Sequence, residues 1–120
     1  MHGSFSRADT WNFMAMQGPD FKAQFVDPAP ASNADIGRTI AHLLGLEVSE
    51  KGKLLGRVLS EALPNGALPQ VTSRVVISEP AANGLFTVAN TQTVGETRYI
   101  DAAGFPGRTV GLTTTVLPER

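Results

Sequence analysis

The chain has 120 residues, 10 basic and 11 acidic side chains, two histidines, no cysteine and a formal net charge of -1. That length supports one small core and excludes a function that needs two packed domains with a cleft between them. The lack of cysteine excludes disulfides, a thiolate nucleophile and a Cys-based zinc site, and a near-neutral charge without a basic run offers nothing to nucleic acid or anionic lipid. Hydrophobic residues at 42% against charged residues at 18% predict a folded chain rather than a disordered one. Residues 1–7 contain no apolar signal core, and no stretch reaches the ~20 apolar residues of a membrane span.

In chain order, the apolar run at residues 11–16 (Trp-Asn-Phe-Met-Ala-Met), closed by Gly18-Pro19, predicts a buried strand stopped by a turn. Asp27-Pro28-Ala29-Pro30 predicts an extended connector, because each residue before a proline is pushed out of the helical region. Helix signals come next. Ser32 or Asn33 stands as N-cap, Asp35 lies in capping-box position, and Gly45 provides the stop. Between them Ile36, Ile40, Leu43 and Leu44 repeat at helical spacing, which predicts an apolar face packed on something. Residues 47–53 read as a charged loop, and residues 54–63 as a strand or turn entering a short helix.

Composition changes at residues 64–70, where Asn65-Gly66 and Pro69 punctuate the chain, and a boundary is expected there. Beyond it, residues 71–78 and 85–94 read as strands, Gly95-Glu96 as a two-residue turn, and residues 97–102 as a third strand of an antiparallel meander. Gly104-Phe105-Pro106-Gly107 breaks the pattern before a further short strand at residues 108–116.

By residue type alone the catalytic inventory is thin. No HExxH, Walker loop, GxSxG or close carboxylate pair is present. His2 reads as an exposed terminal side chain, since histidine ligands come with companions, and His42 as a half-buried or surface helix position. Asp9, Asp20, Asp27 and Asp35 fit a loop, a turn and a cap; Gly3, Gly18, Gly104 and Gly107 read as turn glycines.

Taken in order, however, several segments resemble a known family. His2-Gly3-Ser4, the apolar run and Gly18-Pro19-Asp20-Phe21-Lys22 are similar to the late metal-site segment of the alkaline phosphatase superfamily, in its nucleotide pyrophosphatase/phosphodiesterase branch. The connector, the helix through Thr39-Ile40-Ala41-His42-Leu43-Leu44-Gly45-Leu46, and the return segment Gly56-Arg57-Val58-Leu59 resemble the succeeding segments of those enzymes. The likeness covers residues 1–63 and departs at Arg38, where relatives often carry proline. That difference has no physical cost, because proline in a first helical turn uses an amide that lacks an intrahelical partner. Residues beyond 64 match no assigned pattern, although similar β-rich extensions occur on bacterial members.

The resemblance implies an α/β fold: the C-terminal piece of an alkaline-phosphatase-like α/β sandwich at residues 1–64, followed by a β-rich antiparallel meander at residues 65–120. It further implies a hydrolase with two zinc ions roughly 4 Å apart and a Thr or Ser nucleophile that is transiently phosphorylated. Only one ligand, His2, maps onto this chain. Ser4, Phe5 and Arg7 come directly after it and are candidates for the mouth of the site, although a solvated loop is the plainer reading. One imidazole does not hold a catalytic zinc, which takes three protein ligands. The expectation is therefore a C-terminal fragment, with Met1 an internal methionine, that needs a preceding catalytic core and is inactive alone. The parent would take a small phosphate ester or nucleotide, would bind neither nucleic acid nor membrane, and would be periplasmic or secreted. Two alternatives are a stand-alone β-rich binding or structural module and a subunit that completes a metal site in another chain.

Overall fold

In a computed structural model the chain is described over residues 3–48, 52 and 56–112. Its elements are α1 (Arg7–Thr10), α2 (Asn33–Leu43), a 3-10 turn (Ser60–Ala62), β1 (Val71–Ile77), β2 (Val88–Val94) and β3 (Thr97–Gly104). The strands form one antiparallel sheet in the order β1-β2-β3. Two compact units are distinguished, one of Met1–Phe13, Thr72–Gln92 and Ile100–Arg120, the other of Met14–Val71 and Thr93–Tyr99.

The expected α/β sandwich does not form. Among the described residues the protein is a small, mostly sheet structure with two short helices. Parallel α/β layers need strands joined by helical crossovers, and the described residues contain only the up-and-down sheet. The run at residues 11–16, expected as a buried strand, pairs in no sheet; Trp11 is 71% and Phe13 92% exposed. An apolar run reads as a strand from its own composition, but becomes one only where a neighbour supplies ladder partners.

In the second unit, α2 is bounded as its local chemistry dictates. Asp35 accepts the Ser32 N–H at 2.7 Å, the carboxylate half of a capping box. At the other end Gly45 takes φ +63, Leu46 donates to the Ala41 carbonyl at 2.9 Å and Gly45 to that of His42 at 3.2 Å, a Schellman ending that needs glycine's left-handed freedom. Its packing face is only partly the one the apolar spacing predicts, since Ile36 and Leu43 are half-buried. Asp35, Thr39 and Ala41 are buried, whereas Ile40 and Leu44 are exposed. The buried side is chosen by hydrogen bonds: Thr39 Oγ1 accepts the Leu59 N–H at 3.0 Å and Asp35 the Arg57 N–H at 2.7 Å. Gly56 passes so close that a Cβ there would lie 2.4 Å from the Ala34 carbonyl oxygen.

In the first unit the core is Val88, Ala102 and Leu112, with Ile77 and Phe86 packed against it. Strand β2 begins at Val88, three residues after the expected start, because the connection from β1 closes through Ser78 N–H donating to the Thr87 carbonyl at 3.0 Å. Gly95 has φ +56 at the first position of the β2–β3 turn, where a type II′ hairpin takes glycine. Strand β1 is exposed along both faces except at Ile77. The strand expected at residues 108–116 does not form in its described part, where residues 108–111 turn around the Phe105 carbonyl, which accepts from Arg108 and Thr109. The rest of that expectation, like Leu54, Leu55 and much of the charged loop, lies outside the described residues.

Candidate functional site

His2, the residue expected to bind metal, lies outside the described residues. Of the three site-mouth candidates beside it, Phe5 and Ser4 are exposed and Arg7 is half-buried. Ser4 Oγ accepts the Ser6 N–H at 3.1 Å and reaches the Asp9 carboxylate, which shapes the turn entering α1. The arm is then held to its own unit by backbone bonds: Ala103 N–H donates to the Phe5 carbonyl at 2.7 Å and Arg7 N–H to that of Val110 at 2.8 Å. Gly111 permits this approach, since a Cβ there would lie 2.6 Å from Arg7 Cβ.

The Arg7 side chain is engaged. Its Nε and Nη2 donate to the two carboxylate oxygens of Asp101 at 3.2 and 2.5 Å, a bidentate pair of the kind the guanidinium fork favours. Trp11 Nε1 donates to the same carboxylate at 3.2 Å, Thr10 Oγ1 to the Asp101 backbone carbonyl at 2.5 Å, and the Arg7 guanidinium lies 5.0 Å from the Trp11 ring centre. The hydrogen bond to Asp101 raises the Arg7 pKa further above its ordinary value. A guanidinium so committed serves first as an anchor for the arm. Asp101 is the residue that sequence reasoning missed, and a signal existed: aspartate inside a strand is disfavoured unless something there uses it.

A second cluster lies in the other unit around Arg57. Its Nη1 and Nη2 donate to Glu61 at 2.8 and 2.5 Å, its Nε to Tyr99 Oη at 2.8 Å and its Nη2 to the Pro30 carbonyl at 3.0 Å. Tyr99 Oη in turn donates to Asp35 at 3.0 Å. Asp35 and Glu61 are both fully buried. Burial opposes the Arg57 charge, but Glu61 and Tyr99 outweigh it and the pKa rises. For Glu61, burial pushes upward and the Arg57 bonds pull further downward, so the carboxylate is held below its ordinary range. Asp27 goes the other way. Burial and the neighbouring Glu61 charge push it up, against the Ala29 N–H that favours its ionised form, and it shares a hydrogen bond with Glu61. Burial and the bond to Asp35 push Tyr99 up to about 12. These bonds clamp α2 to residues 57–61.

The turn Gly18-Pro19-Asp20-Phe21-Lys22 closes through Phe21 N–H donating to the Gly18 carbonyl at 3.3 Å. Lys22 anchors it, with its N–H on the Ala62 carbonyl at 2.9 Å and Nζ on that of Gly66 at 2.6 Å. His42 is exposed and lines an open cleft of about 390 Å3 together with Arg38, Ala41, Leu46, Gly56 and Val58. Among the described residues no three His, Cys, Asp or Glu side chains gather into a group able to hold a metal ion, and no helix is long and apolar enough to cross a membrane. No protein-family model, curated protein or solved structure matches this chain.

Proposed function

We propose that this chain is part of a zinc-dependent phosphoric ester hydrolase of the phosphodiesterase/nucleotide pyrophosphatase type, to which it contributes His2 as one metal ligand, and that it is inactive by itself. The observation that carries the reading is the state of residues 11–16. This is the most apolar segment near the N-terminus, yet Phe13 is 92% exposed, and Trp11, which meets its own chain through Asp101 and Arg7, is still 71% exposed. Burying two such aromatic side chains is worth several kcal/mol, so their exposure supports a segment that finds its partners in a larger protein. The segment also stands between His2-Gly3-Ser4 and the Gly18-to-Lys22 turn, the order the resemblance requires. The described residues do not make a zinc site, so any site that includes His2 draws its other ligands from outside them.

The test is to read the coding DNA in frame upstream of the Met1 codon and express the longest product. That product is expected to contain zinc and to hydrolyse bis-p-nitrophenyl phosphate, with His2→Ala lowering both, whereas the 120-residue chain alone gives no turnover. A stop codon and ribosome-binding site immediately upstream, or turnover by the purified chain that survives His2→Ala, would overturn the proposal.

A further inference from the structure

The sequence contains two Asn-Gly pairs, Asn65-Gly66 and Asn83-Gly84, and their surroundings differ in a way that bears on covalent self-modification. In such a pair the glycine nitrogen can attack the asparagine side-chain carbonyl carbon, because glycine places no side chain in the path. Both glycine N–H groups donate to a carbonyl three residues back, Gly66 to Leu63 at 3.1 Å and Gly84 to Ala81 at 2.8 Å. That bond must be released at either site. What differs is the rest of the geometry.

Around Asn83, the side-chain Oδ1 accepts the Leu85 N–H at 3.1 Å, which folds the carboxamide back over the Gly84 peptide. The same N–H lies where negative charge develops on Oδ1 as the tetrahedral intermediate forms, the role of an oxyanion-hole donor. Residue 83 is exposed, and nothing lies within 4 Å of where a Gly84 Cβ would stand, so a ring has room to close and water reaches it. Asn65 is held differently. It sits at φ +64; Gly66 packs so tightly that a Cβ would lie 1.7 Å from the Ser60 carbonyl oxygen; and Lys22 Nζ grips the Gly66 carbonyl at 2.6 Å.

We propose that Asn83 is a self-modification site, at which the Gly84 nitrogen displaces ammonia from the side chain and water completes conversion to aspartate and isoaspartate. The Gly84 amide proton passes to solvent base as the N–Cγ bond forms. The Cγ–Nδ2 bond then breaks and ammonia leaves with a proton from solvent. Hydrolysis of the five-membered imide at either carbonyl gives the two acids. Each conversion takes the formal charge of the chain from -1 to -2, in the loop that also carries Glu79. The experiment is prolonged incubation in neutral buffer, with and without denaturing urea, followed by peptide mapping by mass spectrometry of both pairs in the same sample. In the folded chain Asn83 is expected to convert about tenfold or more faster than Asn65, with the ratio approaching one in urea, where local structure no longer distinguishes them. Equal or slower conversion at Asn83 in the folded chain, or an unchanged ratio in urea, overturns the proposal.

Discussion

Replacing Glu61 by glutamine tests whether the Arg57 cluster holds the second unit together. The substitution keeps the side-chain shape but removes the charge that faces Nη1 and Nη2 of Arg57 at 2.8 and 2.5 Å. The Arg57 side chain is only 12% exposed and that of Glu61 0%, so water compensates little for the lost partner. Removing one member of a buried ion pair costs about 3–5 kcal/mol, a large share of the roughly 5–15 kcal/mol that keeps a domain folded. In urea unfolding followed by circular dichroism, the midpoint should fall by roughly 1–3 M at an unchanged slope. The loss should also shrink with acid. Glu61 is held below its ordinary pKa in the folded chain, so its contribution is complete above the unfolded carboxylate value of about 4.3 and disappears as pH falls through the lower folded value. Asp27, pushed up, has the opposite sign: its contribution is complete below the unfolded value and lost as pH rises. A Glu61→Gln loss under about 1 kcal/mol at neutral pH would refute this account, because it would place the pair in the range of solvent-screened surface bridges. So would a loss that does not diminish below about pH 4.

The same geometry carries two further expected outcomes. Tyr99 is the single tyrosine of the chain, so phenolate absorbance reads it alone; the midpoint should lie near 12 in the folded protein. Because this pKa is raised on folding, the stabilisation is full below about pH 10 and lost as pH rises toward the folded value; a midpoint at the free-tyrosine value would contradict the bond to Asp35. Gly66→Ala should lower Tm by roughly 10 °C, since a Cβ 1.7 Å from a backbone oxygen forces the turn to move. A change within about 2 °C would show that residues 60–66 do not pack as described.

Local structure was legible in the sequence. The α2 boundaries could be read from Ser32, Asp35 and Gly45 because capping chemistry acts over three or four residues, and the β2–β3 hairpin from Gly95 because turn type acts over two. The buried side of α2 was legible only in part: of Ile36, Ile40, Leu43 and Leu44, Ile36 and Leu43 are half-buried, while Thr39 and Asp35 are drawn inward by backbone N–H groups of Leu59 and Arg57, about twenty residues away. Nor was the fate of residues 11–16, since strand formation depends on a partner that no local pattern reveals. At the candidate site, His2, Ser4, Phe5 and Arg7 were singled out by resemblance to a motif, while Asp101, which holds Arg7, was separated from it by most of the chain.

That separation governs the order of assembly. Arg7 and Asp101 lie 94 residues apart, and closing a loop of that length costs about 4 kcal/mol in chain entropy. Asp101 and Ala103 both lie on β3, which pairs with β2. The N-terminal arm is therefore expected to latch late in folding, after the local hairpin and helix, and to open early when stability is lowered. Trp11, the single tryptophan, hydrogen-bonds to Asp101 at that latch, so a fluorescence change that precedes the loss of circular dichroism signal in urea would mark the arm as opening first.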